Sequence, residues 1–377
     1  MDIRRKVHLI NFGRKLTVNA AFFLAPLYFL KLGFSGWQIG LIVSMMAFAP
    51  LVVSFPTGLV NDRFSIKHVI RASLLAQAAA FLVVGRAGHF PLIAAAYLVL
   101  GMCNNVLDVS LNSLYYKDGA EENLNRKYSR LAFWLNLGMA VGTALGGLLA
   151  YLTGFPLLFI TFAFLSLALL PAARGLGPER FEVIPWRDYR RGLFRRKTLL
   201  FCLMLFILTL HWGLEGTIYS PFLREAFGLN LLKLSLYISL ALCLTAAASY
   251  SIGFLRFDSR RNSRLFTAAL FLSGAGLVLM TFRPLGLSFA GRLIHEAGDG
   301  LLAATVTLTI SRLFEKRSIG GSAGLLVAVY TMGNVVGAQV LAPLGFKLGL
   351  AVPFLLAGGL LVADSGFSYY VFRRTEY

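Results

Sequence analysis

The chain has 377 residues, 57% of them hydrophobic and only 14% charged, with a formal net charge of +19. A water-soluble globule of this size cannot hide so much apolar surface, whereas apolar runs of about 20 residues suit the core of a bilayer. The positive charge could suggest a nucleic-acid binder, but it is confined to a few connecting segments, and no nucleic-acid partner is expected.

In chain order, twelve helices are expected at residues 10–32, 36–60, 69–88, 90–115, 131–153, 155–173, 199–223, 230–256, 264–282, 284–312, 321–346 and 351–372. Most are apolar all round, as lipid-facing or packed membrane helices are. The first is interrupted by Asn11, Arg14, Lys15 and Asn19 and lacks a small-residue cleavage site, so it is expected to insert rather than be removed as a signal peptide. Arg14 and Lys15 are expected to snorkel to the membrane surface. Asn19 and Tyr28 are weaker candidates for a polar site. After the second helix comes "GLVNDRFSIK", which places Gly58, Asp62, Arg63 and Lys67 in one short loop, with Arg71 one turn further on.

The fourth helix carries Asn104, Asp108 and Asn112 on one stripe, with Asn105 beside it. The fifth carries "GMAVGTALGG", whose Gly138, Gly142, Gly146 and Gly147 allow close helix packing. The polar stretch 174–197 then divides the chain into units 1–173 and 198–377, joined by a basic linker. On the seventh helix His211 and Glu215 stand one turn apart, with Trp212 adjacent. The tenth is the densest: Arg292, His295, Glu296 and Asp299 fall within an arc of about 100°. Glu296 and Asp299 are close enough to share one proton beside the charge of Arg292. An ionised group at the bilayer centre costs at least about 2.5–3.5 kcal/mol, so each should face a partner or a hydrated cavity. Asp364, on the twelfth helix, stands apart. Cys103, Cys202 and Cys243 all fall in apolar spans and are expected to be small buried residues without a disulfide framework.

Two features organise these helices. If both termini lie on one side, the segments on that side hold 27 of the 36 lysines and arginines, which places the termini and the linker in the cytoplasm; the short loops, with no large extramembrane domain expected, suggest a bacterial inner membrane. Secondly, the chain repeats itself. "GFLRFDSRRNSRL" puts Gly253 and Asp258 at offsets of 195 and 196 from Gly58 and Asp62, while Gly333 and Gly337 of "MGNVVG" lie 195 after Gly138 and Gly142. Two related six-helix halves in parallel order place a site near the midplane between them, with Asn104 and Asp299 at equivalent positions.

The loop after the second helix resembles the signature of the major facilitator superfamily, G-x-x-x-D-R-x-G-R-[KR]. Gly58, Asp62, Arg63 and Lys67 match; Ser65 replaces the second glycine and Ile66 the first paired base. The glycines of the fifth helix are similar to that family's antiporter motif, with Thr143 where a proline belongs. The resemblance implies an all-α, polytopic, monomeric transporter of twelve helices in two pseudo-symmetric bundles, with the Gly58–Arg71 cluster and its echo at Gly253 and Asp258 acting as a latch. It also implies that helices 1, 4, 7 and 10 line the cavity.

The expected activity is export of a small organic solute by alternating access, driven by a proton gradient and needing no cofactor. Asn19, Asn104, Asp108, Asn112, His211, Trp212, Glu215, Arg292, His295, Glu296 and Asp299 are the expected coupling and substrate residues. Proton-coupled uptake of an organic anion or sugar through Arg292 is the alternative. A divalent metal at His211, Glu215, His295, Glu296 and Asp299 has no fixed ligand spacing behind it, so no metal is expected. A membrane enzyme is remoter, since "HEAGD" is not H-E-x-x-H and G-x-S-x-G is missing.

Overall fold

The computed structural model describes residues 3–63, 65–117, 124–174, 176, 195–255, 259–313 and 331–374. Among them the chain forms α1 Ile3–Lys31, α2 Gly36–Arg63, α3 Ile66–Arg86, α4 Phe90–Lys117, α5 Leu124–Thr153 and α6 Phe155–Ala168, the last with a short continuation Leu170–Arg174. The second set is α7 Arg196–Phe227, α8 Leu231–Ser251, α9 Ser259–Leu279, α10 Leu285–Leu313, α11 at 331–348 and α12 Val352–Arg374. The end of the bundle that carries Ile3 and Arg374 is called the terminal end below, and the opposite end the distal end.

Nine described segments are long and apolar enough to cross a membrane. The two full-length helices that fall short, α1 and α10, do so because charged and polar side chains break their apolar runs. Both helices contribute to the site described below. Large apolar side chains such as Leu152, Phe164 and Leu240 stand exposed on the outer faces, where lipid is the solvent that suits them. Cys103 and Cys202 are buried as expected, but Cys243 is exposed on one of these outer faces of α8.

The helices reach further at the terminal end than the apolar runs suggest: α1 begins at Ile3, α5 at Leu124 and α7 at Arg196. Hydrophobicity marks where the oil is, whereas backbone hydrogen bonding carries the helix on into the basic segments. The shift matters for Arg14. It lies eleven residues into α1, about 16 Å along the axis, too deep for its side chain to reach the terminal surface, and it is fully buried.

The internal repeat reappears as packing. A methyl group on Gly138 would sit 2.5 Å from the Phe12 carbonyl oxygen, and one on Gly142 would overlap that of Leu16, so α5 lies against α1 backbone to backbone. In the second set, Gly333 and Gly337 of α11 stand in the same relation to the Phe206 and Leu210 carbonyls of α7. Small residues at four-residue spacing permit this approach. Thr143, in the place of the motif's proline, donates to the Met139 carbonyl at 2.9 Å one turn back, so the helix continues through it.

The two sets of six helices meet along α5 and α8. Ser239 donates to the Ala140 carbonyl at 2.7 Å, Asn136 Nδ2 donates to Ser249 Oγ at 2.9 Å, Gly147 lies under Ser235, and Gly253 lies against Ser129. Other close contacts across the halves gather towards the distal end. Ser220 Oγ donates to the Phe23 carbonyl, Gly216 sits under Phe22, and Gly40 sits on the Ala338 carbonyl. Gly58, Asp62 and Arg63 fall in the last turns of α2, where only the helical backbone is described, and Asp258 lies outside the described residues, so the expected latch is seen only through Lys67, Arg71 and Gly253.

Two π turns interrupt the second set, Glu215–Tyr219 in α7 and Gly337–Leu341 in α11. They lie beside each other, since Gly213 packs against Asn334, Gly337 and Ala338. On an α-helix, residues four apart drift about 40° per step. The wider i→i+5 turn takes up that drift and brings His211, Glu215 and Tyr219 onto one face.

Candidate functional site

Two buried polar clusters face inward, one in each half. In the second, α7 and α10 are tied by Arg292. Its guanidinium donates through one terminal nitrogen to Glu215 Oε1 and through the other to Glu296 Oε1, and its Cζ lies 4.3 Å from the centre of the Tyr219 ring. Thr245 of α8 donates to Glu296 Oε2. Each carboxylate therefore has a charged or hydroxyl partner, as burial at this depth requires.

One turn along α10, Asp299 is held from three directions. Ser273 Oγ of α9 donates to its Oδ1 at 2.7 Å, Trp212 Nε1 donates to Oδ2 at 3.2 Å, and His211 Nε2 lies 3.1 Å from the same oxygen. His295 places Nδ1 2.9 Å from the Ser273 carbonyl oxygen, so that nitrogen carries a hydrogen and donates it. Its Nε2 lies 3.2 Å from Glu215 Oε1 and 3.9 Å from Asp299 Oδ2. The Asp299 side chain is 13% accessible, against 4–6% for Glu296 and Glu215, so it is the opening of this network.

The first-half cluster joins α1 to α4. Arg14 donates from Nε to Asn11 Oδ1 at 2.8 Å, from one terminal nitrogen to Asn104 Oδ1 at 2.8 Å, and from the other to Asp108 Oδ1. Lys15 Nζ lies 3.7 Å from Asp108 Oδ2. The expected snorkelling of Arg14 and Lys15 is thus corrected: an anion in the interior holds both inward, and solvent at the helix end does not. The Asp108 side chain is 31% accessible.

Asn104, Asp108, His211, Trp212, Glu215, Arg292, His295, Glu296 and Asp299 are therefore gathered into two clusters. Asn19 and Asn112 are not: each is half-buried with its side-chain oxygen unpartnered among the described residues. Asp364 is buried on α12 with neither carboxylate oxygen partnered among those residues. Sequence reasoning missed Arg14, Lys15, Asn11, Tyr219, Thr245 and Ser273 as members. For Arg14 the signal was depth, hidden by placing the helix start too late. Hydroxyls such as Ser273 and Thr245 carry no signal of their own, because membrane helices are full of hydroxyls bonded to their own backbone.

Residues 7–338 match the Major Facilitator Superfamily. "Putative multidrug resistance protein MdtD" of Cronobacter sakazakii (strain ATCC BAA-894) is 30% identical over 131 residues, which cover 34% of this chain and 28% of that protein. Its namesake from Klebsiella pneumoniae (strain 342) is 29% identical over 136 residues, 35% of this chain and 29% of that one. The matched region thus spans less than a third of the length of these curated relatives. In fold, the chain is similar to the nucleoside transporter NupG, with a TM-score of 0.78 and 13% identity over the whole of both chains. It is also similar to the human organic anion transporter MFSD10 (TETRAN), with a TM-score of 0.67 and 15% identity over 98% of this chain and all of that one. With its helices in two pseudo-symmetric sets of six and a family match running from α1 into α11, the chain is an integral membrane protein that belongs to the Major Facilitator Superfamily of transporters.

Proposed function

We propose that this transporter exports a small organic solute in exchange for protons, with the exchange made at Glu296 and Asp299. The observation that carries the reading is the Glu215–Arg292–Glu296 bridge with Asp299 beside it. Two carboxylates share one guanidinium, and a third, Asp299, lies one turn along α10 with no cation of its own among the described residues. A proton or a cationic substrate can each balance the surplus, and two occupants that cannot be held together are what exchange requires. Rocking of the halves along the α5–α8 seam would present the site to either side in turn. With the terminal end in the cytoplasm, as the basic segments favour, the distal contacts of α1 with α7 and α2 with α11 close the outward side. In this reading the chain sits in an inner membrane.

Export is supported by the glycine face of α5 and by the partial relatives, whose names describe multidrug resistance. Uptake of an organic anion through Arg292 is less well supported, because that guanidinium is already taken by two carboxylates and an aromatic face. The test is transport in reconstituted vesicles under an imposed pH gradient against a panel of cationic and amphipathic compounds. Proton-driven flux should fall at least tenfold in Glu296→Gln and Asp299→Asn while substrate still binds. Flux indifferent to the pH gradient, or unchanged in both variants, rejects the reading.

A further inference from the structure

We infer that His211, His295 and Asp299, with Glu215 as a fourth donor, form a binding site for one divalent transition-metal cation of the Zn2+ type. The three principal donors come from α7 and α10, and one ligand atom from each lies within 4.8 Å of the others. His211 Nε2 is 3.1 Å from Asp299 Oδ2, and His295 Nε2 is 3.2 Å from Glu215 Oε1. The edges of a tetrahedron with metal–ligand legs of about 2.0–2.1 Å measure roughly 3.3 Å. These two separations match such edges, whereas His295 Nε2–Asp299 Oδ2, at 3.9 Å, and the widest separation among the three principal donors, within 4.8 Å, close by side-chain rotation when a cation enters.

A second observation concerns His295. The ring is fully buried, and its Nδ1–H is spent on the Ser273 carbonyl. Its Nε2 faces the cluster with no hydrogen-bond geometry to any described partner. A ring nitrogen tied to a backbone carbonyl, which orients the other nitrogen to bind a metal in its deprotonated form, is how imidazole is held in metal sites. Asp299 is oriented in the same way, by Ser273 Oγ on its other oxygen.

Charge and ligand type narrow the occupant. The groups that face the cluster among the described residues include His211, Trp212, Glu215 and Tyr219 from α7, Thr245 from α8, Ser273 from α9, and Arg292, His295, Glu296 and Asp299 from α10. With both imidazoles acting as neutral ligands, three carboxylates oppose one guanidinium, and a single dication balances them. Two nitrogen and two oxygen donors suit Zn2+ and its transition-metal neighbours. Mg2+ and Ca2+ prefer oxygen ligands at higher coordination number.

Binding does not depend on the proton-exchange reading and is measured without transport. Full-length protein, free of any affinity tag, would be titrated with Zn2+ in detergent, and Co2+ would be substituted to read the coordination from its absorption spectrum. We expect one Zn2+ per chain, a tetrahedral Co2+ spectrum, and no displacement by millimolar Mg2+ or Ca2+. Affinity should fall at least tenfold in His211→Gln and in His295→Gln. Ser273→Ala, which removes only an orienting bond, should lose about 10–100-fold and keeps the test informative where a ligand variant fails to fold. The triple variant His8→Gln, His68→Gln, His89→Gln changes every other histidine of the chain and should bind as the parent does. No saturable Zn2+ binding, binding unaltered in His211→Gln and His295→Gln, or binding lost in the triple variant would overturn the inference.

Discussion

The polar clusters of the two halves occupy corresponding places and hold opposite balances of charge. In the first, Arg14 and Lys15 share the single acid Asp108. In the second, Arg292 is shared by Glu215 and Glu296, and among the described residues Asp299 is met by neutral hydrogen-bond donors and imidazoles. The frames are alike, down to glycine pairs on α5 and α11 packed against the same carbonyls of α1 and α7. Asn104 and Asp299 even hold equivalent positions, each meeting a basic side chain from α1 or α7. Duplication has kept the backbone geometry and changed the charge, so what one half does chemically is not inferred from the other.

The largest expected effect tests that asymmetry directly. Arg292→Met leaves two buried carboxylates without their common partner and should destabilise the protein by about 3–5 kcal/mol, seen as a large drop in thermal midpoint in detergent or loss of folded protein. Arg14→Met should cost less, about 1.5–3 kcal/mol, because Asp108 is partly accessible and keeps Lys15. Equal losses would mean that the two clusters are energetically equivalent despite their composition. Next in size are the glycine pairs. Gly142→Ala and Gly337→Ala each push a methyl group into a backbone carbonyl and should destabilise by about 1–3 kcal/mol. Gly359→Ala on α12 meets no atom within 4 Å and should be neutral or mildly stabilising in the same assay. A loss at only one of the paired glycines would show that the halves differ in frame as well as in charge.

Much of this frame was legible because lipid imposes simple rules. Apolar runs located the helices, and the 195-residue offset linked Gly138 and Gly142 to Gly333 and Gly337 before any packing was known. On α10, spacing alone placed Arg292, His295, Glu296 and Asp299 on one face. What stayed hidden depends on tertiary geometry. The π turn at Glu215–Tyr219 changes which residues of α7 face α10, and nothing in "EGTIY" announces it. Partners such as Thr245 and Ser273 become meaningful only when α8 and α9 are set beside α10. Arg14 was misread because its surroundings, not its type, decide whether an arginine turns to the surface or to an acid.

The smallest expected effect concerns Lys15, and it sharpens the comparison most finely. Its ammonium is 3.7 Å from Asp108 Oδ2, beyond hydrogen-bond reach, and its side chain is 18% accessible. Arg14 already satisfies the same carboxylate. A pair of this kind contributes about 0–1 kcal/mol, so Lys15→Gln should shift the thermal midpoint only slightly. Its consequence should appear when Asn104→Asp is added, which gives the first half an acid at the position that Asp299 holds in the second. With Lys15 present, two cations face two carboxylates, and the Asn104→Asp variant should fold with near-parental stability. With Lys15→Gln in the same chain, Arg14 alone faces both acids, and the double variant should lose more than the sum of the single changes. Strict additivity of the two would show that Lys15 does not take part in balancing the first-half site.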